Sequence, residues 1–230
     1  FALLESLASS DWEVRELVLY DTLGDEPRVV FPPEGVTARI DAAALFQAEP
    51  EAPVTMLVVA NTSVNGNYRT YFSADSGETW EVVDGLVGGR PYSALYSVDS
   101  GGPYVRGLTN PIRVGNAQDP FVVSNDVGVW AIDKDGQARQ LSTRPGFLVG
   151  QNRAGTLYLV ARYRQVMPYT IDLDMVSTGA GFITIGSDLP SGQYYGWIAS
   201  DESAYVVAQR YDGRFLFHVT PSGFEFIRGP

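Results

Sequence analysis

The sequence predicts an all-β chain, and three observations carry that reading. A short apolar run ending in a small residue recurs as Leu57-Val58-Val59-Ala60, Phe121-Val122-Val123-Ser124, Tyr158-Leu159-Val160-Ala161 and Tyr205-Val206-Val207-Ala208. Each run has the length and the β-branched or aromatic content of a strand. A loop follows each time, and then a second segment rich in aromatics: Tyr68–Ser73, Val129–Asp133, Tyr169–Asp174 and Arg214–Val219. Every second segment leads into a glycine turn, at Gly77, Gly136, Gly179 and Gly223, and a further strand starts near Trp80, Ala138, Phe182 and Phe226. Short strands at regular spacing, bounded by turn residues, mark a repeated β architecture.

The spacing narrows the class. The turn glycines stand 59, 43 and 44 residues apart, and an earlier hairpin (Leu17–Tyr20, Gly24, Arg28–Phe31) lies 53 residues before Gly77. These intervals bracket the roughly 40–50 residues of a four-stranded propeller blade. The expectation is one small β-propeller domain over residues 1–230 with about five blades. The alternative is a β-sandwich with irregular hairpins.

The last unit reads as a full blade, with strands Tyr195–Ala199, Ala204–Gln209, Arg214–Val219 and Phe224–Ile227. Asp201-Glu202-Ser203, Tyr211-Asp212-Gly213 and Pro221-Ser222-Gly223 separate them as turns. The first blade is expected to be incomplete over residues 1–36, because only Phe1–Arg15 precede Leu17, and part of that stretch reads as a short amphipathic helix. An extra hairpin is expected over 93–107, turning at Ser100-Gly101-Gly102.

Residues 73–80 read Ser-Ala-Asp-Ser-Gly-Glu-Thr-Trp and fill the pattern S/T-x-D-x-G-x-T-W through Ser73, Asp75, Gly77, Thr79 and Trp80. A carboxylate at Asp75 can accept bonds from the backbone N–H groups just ahead and hold a turn closed. Gly77 can take the positive φ that a tight hairpin requires. Trp80 offers a large apolar face for packing between sheets. The run resembles the Asp-box of BNR-type repeats, the hairpin turn of sialidase-type propellers. That resemblance implies an architecture and a turn lying away from the ligand face, and no reaction. The other glycine turns have Asp135, Ser177 and Pro221 near the place of the aspartate, as degenerate versions would.

Composition bounds the partners. The chain has 230 residues, 45% hydrophobic and 12% aromatic, enough to bury a core. A formal charge of −11 disfavours nucleic acid and anionic membrane surfaces. Cysteine is absent and His218 is the single histidine, which removes disulfides and thiolate chemistry and leaves little for zinc or histidine-based catalysis. The longest apolar run, Val54 to Ala60, has strand length, so no membrane insertion is expected. Asp133-Lys134-Asp135-Gly136 and Asp172-Leu173-Asp174 lack the further oxygen ligands of a calcium loop, so neither a metal nor a cofactor is expected. The opening residue, Phe1, reads as that of a processed, trimmed or partial chain.

In a propeller the turns between the first and second and between the third and fourth strands of each blade share one rim. The remaining loops share the other, where binding concentrates. On this second rim the sequence places Arg162-Tyr163 and Arg210-Tyr211 at the same blade position, with Arg164 beside the first pair. The connections between blades add Arg90, Tyr92, Arg144, Tyr194 and Tyr195, with Trp197 in the strand that follows. Arginine forks and tyrosine faces suit carboxylated or hydroxylated ligands and protein hot spots. The expected ligand-binding set is Arg144, Arg162, Tyr163, Arg164, Tyr194, Tyr195, Arg210 and Tyr211.

Two enzyme classes share features with this sequence. A sialidase needs an arginine triad and a Tyr-Glu pair, and its Arg-Ile-Pro motif precedes the first box; here Pro111-Ile112-Arg113 runs in reverse and follows it. Asp119-Pro120 before Phe121-Val122-Val123 resembles the start of an inner strand in five-bladed furanosidase propellers. That resemblance implies a glycoside hydrolase, for which Asp119 and Glu202 are the candidate carboxyl pair. The reading favoured here is a non-catalytic binding or assembly module for a protein or glycan partner. It would be part of a larger assembly or a longer chain, in an extracellular, cell-surface or virion setting.

Overall fold

The computed structural model describes residues 2–9, 12–20, 26–62, 67–86, 112–163, 170–179, 181–190, 192–210, 212–220 and 223–229. Among them there are nineteen strands and no helix. The first sheet has three strands: β1 (Ala2–Ser9), β2 (Trp12–Leu19) and β3 (Arg28–Phe31). The second comprises β4 (Arg39–Phe46), β5 (Thr55–Asn61), β6 (Tyr68–Ser73) and β7 (Glu81–Val82). The third comprises β8 (Ile112–Val114), β9 (Phe121–Asn125), β10 (Gly128–Ile132) and β11 (Ala138–Ser142). The fourth comprises β12 (Phe147–Gln151), β13 (Leu157–Tyr163), β14 (Thr170–Ser177) and β15 (Gly181–Pro190). The fifth comprises β16 (Gln193–Ile198), β17 (Ala204–Arg210), β18 (Gly213–Thr220) and β19 (Gly223–Arg228).

Every sheet is an antiparallel meander in chain order, and the fold is an all-β propeller-type stack of five blade-like sheets. Two packed sheets, as a sandwich requires, are not what forms. The apolar quartets explain the stacking, because they are apolar on both faces. In β5, Met56, Val58 and Ala60 pack back toward the first sheet, while Leu57 and Val59 pack forward onto the third. In β9, Phe121 and Val123 face back and Val122 faces forward. In β13, Tyr158 and Val160 face back and Leu159 and Ala161 face forward. Four clusters of buried side chains thus join sheet one to two, two to three, three to four and four to five. A parallel bridge between Asn152 and Ile198 ties the first strands of sheets four and five together.

One expectation fails. The N-terminal stretch is not helical: β1 and β2 pair antiparallel, from Ala2 against Leu19 to Ser9 against Trp12. Hairpin pairing supplies hydrogen bonds that an isolated short helix could not match in stability. The extra hairpin expected over 93–107 lies outside the described residues.

Candidate functional site

The two rims of the stack treat their polar groups differently. On the rim of the β6–β7 turn, side chains close turns. The Ser73 hydroxyl donates to Asp75 Oδ1 at 2.8 Å and accepts from the Gly77 amide at 2.9 Å. The Thr79 amide donates to Asp75 Oδ1 at 3.0 Å, and the Thr79 hydroxyl to Oδ2 at 2.5 Å. Burial pushes the Asp75 carboxyl up. Bonds from the Thr79 hydroxyl and amide, the Ser73 hydroxyl and the Glu78 amide outweigh it and hold the group below its usual value.

Gly77 sits at φ 81°, and a Cβ there would lie 2.6 Å from Val30 Cβ. Trp80 Nε1 donates to the Val30 carbonyl at 2.7 Å, and its ring meets Phe31 edge-on at 5.0 Å. The turn therefore locks sheet two onto sheet one. The β10–β11 turn does the same work with another residue: Asp133, not Asp135, accepts the amides of Asp135 and Gln137, each at 2.9 Å. Asn116, Asn152 and Asp201 close the turns between the first two strands of sheets three, four and five through their side-chain oxygens.

On the opposite rim, between sheets three and four, side chains bond to one another. Alternation along β13 places Arg162 on the face of Tyr158 and Val160, at the point where that face leaves the core. Its guanidinium meets Asp172 Oδ2 through Nη2 at 2.9 Å and Asp174 Oδ2 through Nε at 3.2 Å. Both carboxylates lie on the same face of β14, and only 3% of Asp172 and 1% of Asp174 is exposed. Asp174 Oδ1 also accepts the Thr184 hydroxyl of β15 at 2.7 Å. Arg144, in the connection from β11 to β12, reaches across and donates through Nη1 to Thr184 Oγ1 at 3.3 Å. Its guanidinium lies 4.6 Å from the centre of the Phe182 ring.

Arg144, Arg162, Asp172 and Thr184, with Thr143 and Ser187, line an open cleft of about 590 Å³. Arg162 is neutralised by two buried acids. Arg144 is exposed, and no carboxylate among the described residues pairs with it. The cleft can therefore take an acidic or hydroxylated group, with Arg144 as the charged donor and Thr184 as hydroxyl partner.

Of the residues predicted from sequence, the structure brings Arg144 and Arg162 together. Arg210 lies on the fifth sheet, with Nε 3.1 Å from Asp212 Oδ1 and its guanidinium 5.4 Å from the Phe215 ring centre. Tyr194 is 2% exposed, and its hydroxyl donates to the Pro190 carbonyl at 2.5 Å. Tyr195, its neighbour in β16, points to the other face and is 45% exposed. The side chain of Tyr163, together with Arg164, Tyr211, Arg90 and Tyr92, lies outside the described residues.

Asp119 stands in the β8–β9 connection, where Arg139 Nη2 lies 3.2 Å from both of its oxygens. Glu202 is in the β16–β17 turn of another sheet, at φ 64°. No group of three or more His, Asp or Glu side chains among the described residues could hold a metal ion, and no helix there is long and apolar enough to cross a membrane.

Sequence reasoning missed Asp172, Asp174 and Thr184 as a set. The available signal was alternation: Arg162, Asp172 and Asp174 occupy core-face positions of their strands, where a charge needs partners.

No family model and no curated protein matches the sequence. Among solved structures, the chain described as YCF48 bound to D1 peptide is similar at 13% identity and a TM-score of 0.46. The similarity covers 88% of this chain and 56% of that one, so this chain spans little more than half of its length.

Proposed function

We infer that the chain is a non-catalytic binding or assembly module, and that its contact site is the Arg144–Arg162 cleft on the rim opposite the Ser73–Trp80 turn. The partner is a protein surface or glycan that presents carboxylate or hydroxyl groups. One observation carries this reading: Arg144 is held over Phe182 beside the Thr184 hydroxyl while Arg162, next to it, is already neutralised by Asp172 and Asp174. An exposed guanidinium in a braced setting loses little freedom on binding. In the same reading the Ser73–Trp80 turn is an Asp-box that braces the scaffold, and the module works at a cell or virion surface within a larger assembly.

The test is a glycan array and an acidic-peptide array probed with the wild type, Arg144→Ala and Arg144→Glu, with folding followed by circular dichroism. A ligand retained by the wild type and lost by both variants supports the site. Equal retention by all three proteins, or retention by none, sinks it.

A further inference from the structure

The fifth sheet has a face that nothing among the described residues covers. Its backward face is packed: Tyr194, Ile198, Ala204, Val206, Ala208, Phe217 and Val219 join the cluster shared with sheet four. Its forward face carries Tyr195, Trp197, Tyr205, Val207, Leu216 and His218. Tyr195 and Trp197 are 45% and 48% exposed, and the other four are half-buried. Cross-strand pairing sets Trp197 opposite Tyr205 and Tyr205 opposite His218. Their rings stack in one row, 5.2 and 4.8 Å between centres and 12° and 21° between planes.

The corresponding faces of sheets two, three and four are all covered by the next sheet. Tyr205 and Val207 lie on the forward face of β17, the face that Leu57 and Val59 present in β5 and Leu159 and Ala161 in β13. The strand β17 thus has the two-sided apolar pattern of a buried strand and is buried on one side.

We propose that this face is a self-association surface, on which two copies of the chain pair their fifth sheets about a two-fold axis. It is separate from the Arg144 cleft and does not depend on the reading of that site. Charge selects the partner. A chain with net charge −11 repels its own copies over most of its surface. The charged residues that pairing places around this apolar row are two bases and one acid, Arg214 opposite Gln209, Arg228 opposite Leu216 and Glu225 opposite His218, so the face does not share the acidic excess of the chain. Two-fold pairing lets the row Trp197–Tyr205–His218 meet its own copy, each residue type contacting the other's in reciprocal fashion.

Area sets the strength. Four strands about 4.8 Å apart and about 20 Å long give a face of roughly 19 by 20 Å. Two such faces remove roughly 760 Å² from water, in the range of weak, transient interfaces, so a reversible dimer of high-micromolar affinity is expected.

Sedimentation velocity of the 230-residue chain across the micromolar range tests this. A monomer–dimer equilibrium is expected, weakened about tenfold or more by Trp197→Glu and by Val207→Glu, as for a central contact residue. Ile183→Ser, which removes an exposed apolar residue from the fourth sheet, should leave it unchanged. The chain has no cysteine, so Val207→Cys supplies a single thiol. It should react with maleimide as a free thiol at low concentration and become protected as the dimer forms.

A monomer throughout the range overturns the proposal, as does a dimer indifferent to both glutamate variants or weakened by Ile183→Ser. Protection of the Val207→Cys thiol that is independent of concentration means the chain covers its own face, and overturns it equally.

Discussion

Asp75 and Asp174 are both aspartates held by several hydrogen bonds, yet they do opposite work. Asp75 spends its oxygens on a local turn, taking the Thr79 amide and hydroxyl and the Ser73 hydroxyl. Asp174 bonds to side chains from two other strands, Arg162 of β13 and Thr184 of β15. The first arrangement is local in sequence and closes on itself. The second gathers groups from across sheet four and ends at Arg144, a cation aimed at solvent. Asp75 is saturated within its own turn; Asp172 and Asp174 meet an arginine from a neighbouring strand, beside a second arginine with no carboxylate partner among the described residues.

The largest effect that would break this contrast is expected from Arg162→Ala. It removes the guanidinium that Asp172 and Asp174, both almost wholly buried, share. A loss of about 3 kcal/mol should appear in urea denaturation. If the loss is no greater than for an exposed ion pair, the cluster is not the brace described here.

Gly77→Ala comes next, at about 2–3 kcal/mol, because it adds a left-handed backbone penalty to a Cβ placed 2.6 Å from Val30. Gly35→Ala separates the two causes. Gly35 has a similar φ of 78° with nothing within 4 Å, so only the backbone share of about 1 kcal/mol should remain.

Asp75→Asn should cost about 1–2 kcal/mol at neutral pH. The folded carboxyl is held below the usual 3.8, so its contribution is complete above that value and fades as pH falls through the folded value. Denaturation curves of wild type and Asp75→Asn should therefore converge in acid; a constant gap down to pH 2 would show that charge is not the cause.

The smallest effect on stability is expected from Arg144→Ala, within about 0.5 kcal/mol. Its consequence should appear in binding alone, which separates the two arginines of one cleft.

Much of this architecture was readable in the sequence because the second strands, β5, β9, β13 and β17, are apolar on both faces and stand out as runs. The first strands did not stand out. β4 reads Arg-Ile-Asp-Ala-Ala-Ala-Leu-Phe, whose alanines favour helix over strand. β8 has three residues, and β12 is interrupted by Gly150, where its pairing with β13 shifts register. The same helix-favouring content, in Ala-Leu-Leu-Glu-Ser-Leu-Ala-Ser, misdirected the reading of β1, whose pairing with β2 no local propensity reveals.

At the cleft, Arg144 and Arg162 were visible as arginines in the right loops. Their convergence was not, because it depends on how sheet three sits against sheet four. Asp133 was passed over for Asp135 because the turn is one residue longer between aspartate and glycine than the Ser73–Trp80 turn.

Each core cluster joins one sheet to the next in chain order, so cooperativity should travel along the stack as it does in a linear array. Backbone amides of sheets two to four, gripped from both sides, should exchange with deuterium slowest, while those of sheets one and five open first. The molecule would then come apart from its ends inward, with the middle three sheets as the last to lose protection.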